Sequence, residues 1–423
     1  MPDLTANCAG IVSPNPFWLA SAPPANSGDQ VMRAFDCGWG GAVWKTLGTP
    51  IQNVSSRFGA VAYRGNPAIG FNNIELITDR PLDVNFREIA EVKKRYPKHA
   101  VVVSLMVESR EEWKQIIARS IDAGADGIEL NFGCPHGMCE RGMGSAVGQE
   151  PDVNERITSW AKEFSTVPVL VKLTPNVGDI LPHGLAAQRG GGDGVSLINT
   201  IKSLIGVDID RMVPMPRVDG MSTNGGYCGA AVRPIALHMV AALARDERFN
   251  IPISGIGGVT DWRDTVEFLA LGASNVQVCT EVMLRGYRIV EDMIDGLQEY
   301  MVDKGYNNLD QIVGAAIPAF SEWGNLDLNY ETVAKIDAKS CIGCQACLVA
   351  CHDGAHQCIH PDPAGGRVPV VDESECVGCN LCEIVCPVPD CISMVEVDNG
   401  YAAATWNQHV SDGAALRPKK GAH

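Results

Sequence analysis

The sequence is short of positive charge: 34 Lys and Arg stand against 50 Asp and Glu, a formal net charge of -16. That is the wrong sign for a chain that grips a phosphate backbone with clustered cations, so nucleic acid is not an expected partner. Long apolar runs are also missing. Stretches such as Val101-Val-Val-Ser-Leu-Met-Val107 fall far short of the roughly 20 residues that span a bilayer, so no membrane partner is expected either. The opening Met1-Pro-Asp-Leu-Thr-Ala-Asn-Cys8 has neither a basic n-region nor an apolar h-region, so we expect no secretory signal and a cytoplasmic location with reduced thiols. No G-x-G-x-x-G unit follows a strand-like run, which leaves no evident NAD(P)H or FAD site.

What is present is ordinary globular composition, with 46% apolar and 20% charged residues, 44 Gly and 25 Pro, which excludes a disordered, collagen-like or coiled-coil chain. At 423 residues the chain is long enough for one large domain plus a smaller one, or for up to three. The 16 cysteines are unevenly spread: six lie in the first 340 residues and ten between Cys341 and Cys391. Such density means a cofactor or a disulfide knot, and a reducing compartment favours the cofactor.

From residue 16 to about 313, short β-branched runs alternate with amphipathic helical stretches, the pattern of βα units around a parallel sheet. Strands are expected at 17–21, 42–46, 101–106, 127–131, 168–172, 194–199, 251–256 and 275–279. Helices fall between them, for example at 110–123, 153–164, 234–244 and 261–271, with Asp179 and Asp261 as N-caps. Eight strands in about 300 residues fit a (β/α)8 TIM barrel. An open doubly wound sheet allows the same alternation, but the missing dinucleotide fingerprint favours the barrel. We expect a barrel over 1–313, a connector over 314–331, a small α+β domain over 332–400, and a polar tail over 401–423 ending in Arg417-Pro-Lys-Lys.

Within the third segment Cys341-x2-Cys344-x2-Cys347-x3-Cys351 recurs 35 residues later as Cys376-x2-Cys379-x2-Cys382-x3-Cys386-Pro387. In a two-cluster ferredoxin the first three thiolates of such a run bind one cubane and the fourth reaches the other. One [4Fe-4S] cluster is therefore expected on Cys341, Cys344, Cys347 and Cys386, and a second on Cys376, Cys379, Cys382 and Cys351. The segment resembles the ferredoxin-like fold of bacterial 8Fe ferredoxins, although His352 stands where Pro follows the fourth Cys in that pattern. Structural zinc rarely uses this spacing, and the compartment disfavours disulfides. Cys358 and Cys391 are left over as small core residues.

A barrel builds its active site where its strands end. Those ends carry Ser21, Lys45-Thr46, Asn131, Lys172, Asn199-Thr200, Gly257-Gly258 and Cys279-Thr280. Polar residues end strands in any barrel, but two lysines in the mouth need an anionic or electron-rich partner. A flavin supplies one, since N1 and O2 of its pyrimidine ring become negative on reduction. Ser254-Gly-Ile-Gly-Gly258 and Val278-Cys-Thr280 stand where barrels bind phosphate through backbone N–H groups, so FMN is the expected cofactor. After the fourth strand the Gly-rich run from Asn131 to Gly148 reads as a hinged lid. It carries Cys134, a thiol whose reference pKa of about 8.5 suits general acid–base work. His136 is a second possible proton donor there. A buried structural role is the plain alternative for Cys134 and, more strongly, for Cys139.

Asn131-Phe-Gly-Cys-Pro-His-Gly-Met138, Val171-Lys-Leu-Thr-Pro-Asn-Val177, Asn73-Ile-Glu-Leu-Ile77 and Ser254-Gly-Ile-Gly-Gly258, followed by a two-cluster segment, closely resemble the dihydropyrimidine dehydrogenases. The likeness is to the FMN/iron–sulfur subunit of the bacterial NAD-dependent enzyme, a relative of the dihydroorotate dehydrogenases. The resemblance implies Cys134 as proton donor or acceptor, with Asn73, Asn131, Phe132, Gly133, Asn199 and Thr200 holding the pyrimidine. It implies Ser21, Lys45, Thr46, Lys172, Gly229, Gly257, Gly258, Cys279 and Thr280 as the FMN site. It also implies reversible reduction of uracil or thymine, and a partner subunit carrying FAD, iron–sulfur centres and the NAD(P)H site. The alternatives are a dihydroorotate dehydrogenase, which needs a cationic or donor-rich pocket for the orotate carboxylate, and a non-catalytic electron-transfer subunit.

Overall fold

The computed structural model describes residues 1–63, 65–134, 142–354, 356–418 and 420. It divides into two compact units, Met1–Ala319 and Phe320–His423. In the first, eight strands, β1 (Phe17–Leu19), β2 (Gly41–Leu47), β3 (Ala100–Leu105), β4 (Gly127–Asn131), β5 (Val169–Lys172), β6 (Gly194–Leu197), β7 (Ile253–Ile256) and β8 (Ala273–Val278), form a closed barrel. Each pairs in parallel with its sequence neighbour, and β8 closes on β1 with Val276 opposite Phe17. The helices between them are α1 (Gly28–Cys37), α2 (Leu82–Arg95), α3 (Arg110–Asp122), α4 (Pro151–Phe164), α5 (Leu181–Arg189), α6 (Arg233–Ala244), α7 (Trp262–Ala270) and α8 (Ile289–Lys304). The expected (β/α)8 barrel is the observed one, and each of the eight expected strands overlaps an observed strand.

Asp261 caps α7 as expected, accepting from Arg263 N at 2.7 Å and Asp264 N at 3.2 Å, while Asp264 answers to Asp261 N. Asp179 is a correction: α5 starts at Leu181 with Ile180 in the cap position. The Asp179 carboxylate still accepts from Leu181 N at 2.9 Å, so it satisfies the first helical amide from one residue further out.

Strand side chains alternate between the two faces. Outward residues such as Leu19, Trp44, Val103, Leu130, Val171, Val195 and Val278 pack under the helices in the main core. Inward residues change character along the barrel axis. Near the strand starts Trp18, Val43, Ala100, Val102 and Leu170 form an apolar floor with Cys8 and Ile11, which belong to the hairpin Ala6–Cys8/Ile11–Ser13. Above the floor the interior turns polar. Glu129 Oε2 accepts from Ser196 Oγ at 2.8 Å and from Gln277 Nε2 at 3.2 Å, and Gln277 Nε2 also donates to Ser254 Oγ at 3.0 Å. Lys172 Nζ lies 3.6 Å from Glu129 Oε1, and Glu129 is 0% exposed.

Sequence periodicity does not anticipate a four-stranded antiparallel sheet in the order Ile201–Ser203, Gly225–Cys228, Asn66–Asn73, Phe58–Tyr63. Its residues are partly exposed and rich in Gly and Asn, so neither face leaves a clean alternation. The unit boundary also falls later than residue 313. Gly314 N donates to Leu269 O and Ala316 N to Ala270 O, both at 2.9 Å, which ties 314–319 to the end of α7.

In the second unit Thr332–Ile336 pairs antiparallel with Ile392–Glu396, beside the helices Ala346–Gly354 and Leu381–Ile384. The stretch after 401 is built into this unit. Thr405 caps the helix Trp406–Asp412 in a capping box. Leu328 N donates to Ala404 O at 2.9 Å, and Asn329 Nδ2 donates to Ala402 O and Ala415 O at 2.7 and 2.9 Å. Arg417 and Lys420 both pair with the buried Glu331.

The Glu129–Lys172 pair yields a test of the barrel. Glu129→Ala leaves the Lys172 ammonium buried without its counter-charge and is expected to lower stability by about 3–5 kcal/mol, read as an earlier midpoint in chemical denaturation. Glu129→Gln should cost less, because its amide oxygen can still accept from Ser196 and Gln277. A wild-type midpoint in the Ala variant would show that the pair contributes nothing.

Candidate active site

A cavity of about 660 Å³ opens at the carboxyl ends of the strands, within the size range of cofactor sites. Its polar wall is one continuous chain of hydrogen bonds. Thr46 Oγ1 is the hub, 3.1 Å from Ser21 Oγ and 3.0 Å from Ser104 Oγ, and it accepts from Asn131 Nδ2 at 3.0 Å. Asn131 Oδ1 accepts in turn from Asn199 Nδ2 at 3.0 Å, and Asn199 Oδ1 accepts from Thr200 N at 2.8 Å. Five strands are thereby tied together near their carboxyl ends, and both asparagines have one orientation. Asn176, from the Val171–Val177 motif, buttresses this chain from outside, donating to Thr200 O at 3.1 Å.

Lys45 and Thr46 both line the cavity, which adjacent residues of a regular strand cannot do. The register explains it: pairing between β2 and β3 runs Trp44↔Val103 and then Leu47↔Leu105, so three steps on β2 match two on β3. The extra residue is a bulge, a device that re-aims side chains beside active sites.

Neither lysine lacks an acid. Lys45 Nζ lies 2.7 Å from Glu75 Oε1 with both side chains buried, and Arg57 Nε reaches the same oxygen at 3.4 Å. Burial pulls the Lys45 pKa below its ordinary value, while Glu75 works in the opposite direction. Cys228 and Cys279 share the wall with Cys134. Burial pushes Cys228 up to about 11 despite the hydrogen bond from Thr280, and burial raises Cys279 further, so both are neutral thiols at pH 7.

The expected site residues line this cavity with two exceptions. Phe132 turns outward, its ring edge-on to Trp113 of α3 at 6.5 Å between centroids. Gly133 packs on Asn199, where a Cβ would stand 2.3 Å from the Asn199 Cβ. Cys134 is buried beside Ile77, Met106 and Met143, and its carbonyl accepts from Ser145 N at 3.0 Å. His136 and Cys139 lie outside the described residues. Gly257 and Gly258 have φ of 124° and 79°, and a Cβ on Gly258 would meet Arg233 N at 2.8 Å, so only glycine lets this turn lie against the start of α6. Sequence reasoning missed Glu75, Phe58, Phe71, Tyr227 and Cys228 in the wall and Glu129 beneath it. The one available signal was an acid in the middle of an otherwise apolar strand, Gly-Ile-Glu-Leu-Asn.

In the second unit the motif cysteines gather in two cavities. One is lined by Cys341, Cys344, Cys347 and Cys386, the other by Cys376, Cys379, Cys382 and Cys351. The two loops share a backbone: Gly343 and Gln345 have φ of 72° and 61°, and Gly378 and Asn380 have 74° and 55°. Left-handed residues alternating with others turn successive N–H groups inward, a concavity suited to anions and iron–sulfur centres.

Among the described residues no helix is long and apolar enough to cross a membrane. Residues 3–301 match the dihydroorotate dehydrogenase family and residues 334–394 the 4Fe-4S dicluster domain. The chain is similar to the NAD-dependent dihydropyrimidine dehydrogenase subunit PreA of Escherichia coli (strain K12), with 43% identity over 397 residues, 93% of this chain and 96% of that one. It is similar to the chloroplastic dihydropyrimidine dehydrogenase (NADP(+)) of Arabidopsis thaliana, with 38% identity over 333 residues, 76% of this chain and 78% of that one. It is also similar to the catalytic subunit of dihydroorotate dehydrogenase B (NAD(+)) of Pyrococcus horikoshii, with 36% identity over 316 residues, 73% of this chain and 96% of that one. The chain therefore belongs to the dihydroorotate dehydrogenase family of oxidoreductases and carries a 4Fe-4S dicluster domain after the family's barrel.

Proposed function

We propose that this chain is the pyrimidine-reducing subunit of a cytoplasmic dihydropyrimidine dehydrogenase, interconverting uracil or thymine and their 5,6-dihydro forms. The observation that carries the reading is the charge state of the cavity: Lys45 and Lys172 are each paired with a buried carboxylate, Glu75 and Glu129. Arg285 of the lining is likewise paired, with Glu281, and the remaining polar side chains are Asp261 and a set of amides, hydroxyls and thiols among apolar residues. Such a pocket suits a neutral ring with alternating N–H and C=O groups, which Asn side chains match on both counts. It is poorly suited to a ligand bearing a carboxylate such as orotate, since Glu75 would face it. A barrel kept only as a scaffold for electron transfer would gain nothing from buried polar groups, which cost stability unless used.

On this reading Asn73, Asn131, Asn199 and Thr200 hold the pyrimidine, with the backbone of Phe132 and Gly133 carrying Cys134 to its edge. Ser21, Lys45, Thr46, Lys172, Gly229, Gly257, Gly258, Cys279 and Thr280 hold FMN. The cavity volume and the left-handed Gly257-Gly258 turn support that fit. Bound FMN supplies hydride chemistry at C6 of the ring and single-electron exchange with the clusters. Cys134 holds the proton for C5 on its Sγ and takes it back in the reverse direction. The two cysteine cavities hold one [4Fe-4S] cluster each, on the four ligands named above. A partner subunit with FAD and iron–sulfur centres is proposed to bring electrons from NAD(P)H, because the chain has no dinucleotide fingerprint.

Three measurements test this. Cys134→Ala should cut pyrimidine turnover at least about 10²-fold, the lower range for a positioned proton donor, with flavin and iron content unchanged; retained turnover sinks the assignment. The purified chain should reduce uracil with an artificial donor but not with NADH, and efficient NADH turnover without a partner contradicts the division of labour. Uracil should be turned over in preference to orotate, and the reverse preference points to a dihydroorotate dehydrogenase.

A further inference from the structure

On the cluster reading proposed above, each cubane takes four thiolates, yet both cavities contain a fifth thiol. Cys358 lines the cavity of Cys351, Cys376, Cys379 and Cys382, and Cys391 lines the other. The sulfur of Cys358 lies 3.6 Å from that of Cys351, within hydrogen-bond range for sulfur, and its side chain also meets Cys376. The Cys391 thiol is turned elsewhere, donating to Asp337 O at 3.9 Å. Cys358 thus lies within reach of the fourth cysteine of the first motif, the ligand of its cavity that crosses over from the other motif. The two extra thiols stand at a spacing unlike that of the motifs: Cys358 follows Cys351 by seven residues and Cys391 follows Cys386 by five. Even so, each stands directly before the isoleucine that opens a strand, Ile359–His360 or Ile392–Glu396. Both are buried, at 4% and 2% exposure.

An alanine would fill either place without bringing a polar hydrogen into the cavity. A thiol there is a weak donor facing ligand sulfurs, and a donor to a charged sulfur stabilises it the more as negative charge accumulates. Hydrogen bonds to the sulfurs are among the factors that set cluster potential. We propose that Cys358 is a positioning residue for its cluster, donating S–H to the crossover ligand Cys351 and so raising that cluster's reduction potential, while Cys391, turned to the Asp337 carbonyl, has no such effect.

The test uses the full chain purified without oxygen, with Cys358→Ala, Cys358→Ser and, as a control, Cys391→Ala, read by iron per chain and by redox titration followed by electron paramagnetic resonance. Cys358→Ala should keep the iron of two cubanes and lower the potential of one cluster only, with Cys391→Ala titrating like wild type. The expected shift is two- to tenfold in the reduction equilibrium, tenfold being about 59 mV for one electron. Cys358→Ser, with a hydroxyl donor, should recover part of the shift. A Cys358→Ala chain that titrates like wild type overturns the proposal, and so does one that loses a cluster's iron, which would make the thiol a ligand. A wild-type chain without the iron of two cubanes fails at the earlier step and removes the cluster reading itself, whereas intact clusters with unmoved potentials remove this inference alone.

Discussion

The barrel depends on carrying charge through its own interior. Lys172 and Glu129 sit side by side inside the closed sheet, where taking two ions out of water costs several kcal/mol each unless every remaining lone pair is used. Ser196 and Gln277 donate to Glu129 Oε2 and Gln277 in turn reaches Ser254, so three other strands meet part of that demand, while Oε1 is left to Lys172. The polar layer is tolerable only because the apolar floor of Trp18, Val43, Val102 and Leu170, with Cys8 and Ile11 of the hairpin, seals the opposite end. With water shut out below, the interior opens in one direction, into the cavity. The lysine is thereby held where a ligand can meet it.

The same logic operates one layer higher. A strand places every second side chain inward, so a wall that needs both an ammonium and a hydroxyl from β2 must break the alternation. The register shift at Lys45 and Thr46 does so, sending Lys45 to Glu75 and Thr46 to the hub of the Ser21–Asn131–Asn199 chain. Remove the bulge, and either the ion pair or the hydrogen-bonded wall loses a member.

These features were unequally legible in the sequence. The eight strands were, because parallel strands covered on both faces read as continuous β-branched runs, and Val101 to Leu105 could hardly be anything else. The residues at their ends were legible too, since topology alone sends them to one rim. The sheet Phe58–Tyr63 and Asn66–Asn73 was not: half its residues face solvent, and Gly70 is there to let Tyr227 lie across it, a Cβ falling 1.8 Å from the Tyr227 hydroxyl. That is a long-range constraint with no local signature. Glu75 was invisible as a site residue for the same reason, because its partner Lys45 is brought to it only by this sheet and the bulge. The boundary at Ala319 and the strapping of 320–331 to the chain beyond 401 rest on hydrogen bonds of the backbone and of the Asn329 side chain that composition does not encode.

The second unit solves a different problem, that of having almost no hydrocarbon to bury. Of the eleven buried residues of its core cluster among those described, Cys341, Cys347, Cys351, Cys358, Cys376, Cys382 and Cys391 are thiols, and Val333, Ala334, Ile359 and Ile392 are aliphatic. Small domains with so little apolar area need a covalent or metal staple, and a 4Fe-4S dicluster domain has one in its inorganic cores. The exchange of the fourth cysteine between motifs strengthens the staple. Neither loop can complete a cavity alone, since Cys351 closes the site of Cys376, Cys379 and Cys382, and Cys386 that of Cys341, Cys344 and Cys347. On the ligand sets proposed above, cluster binding at either site pulls both halves of the repeat together, so that metal affinity becomes folding free energy for the repeat. The 35-residue repeat is therefore a single cooperative object whose halves are defined only by each other.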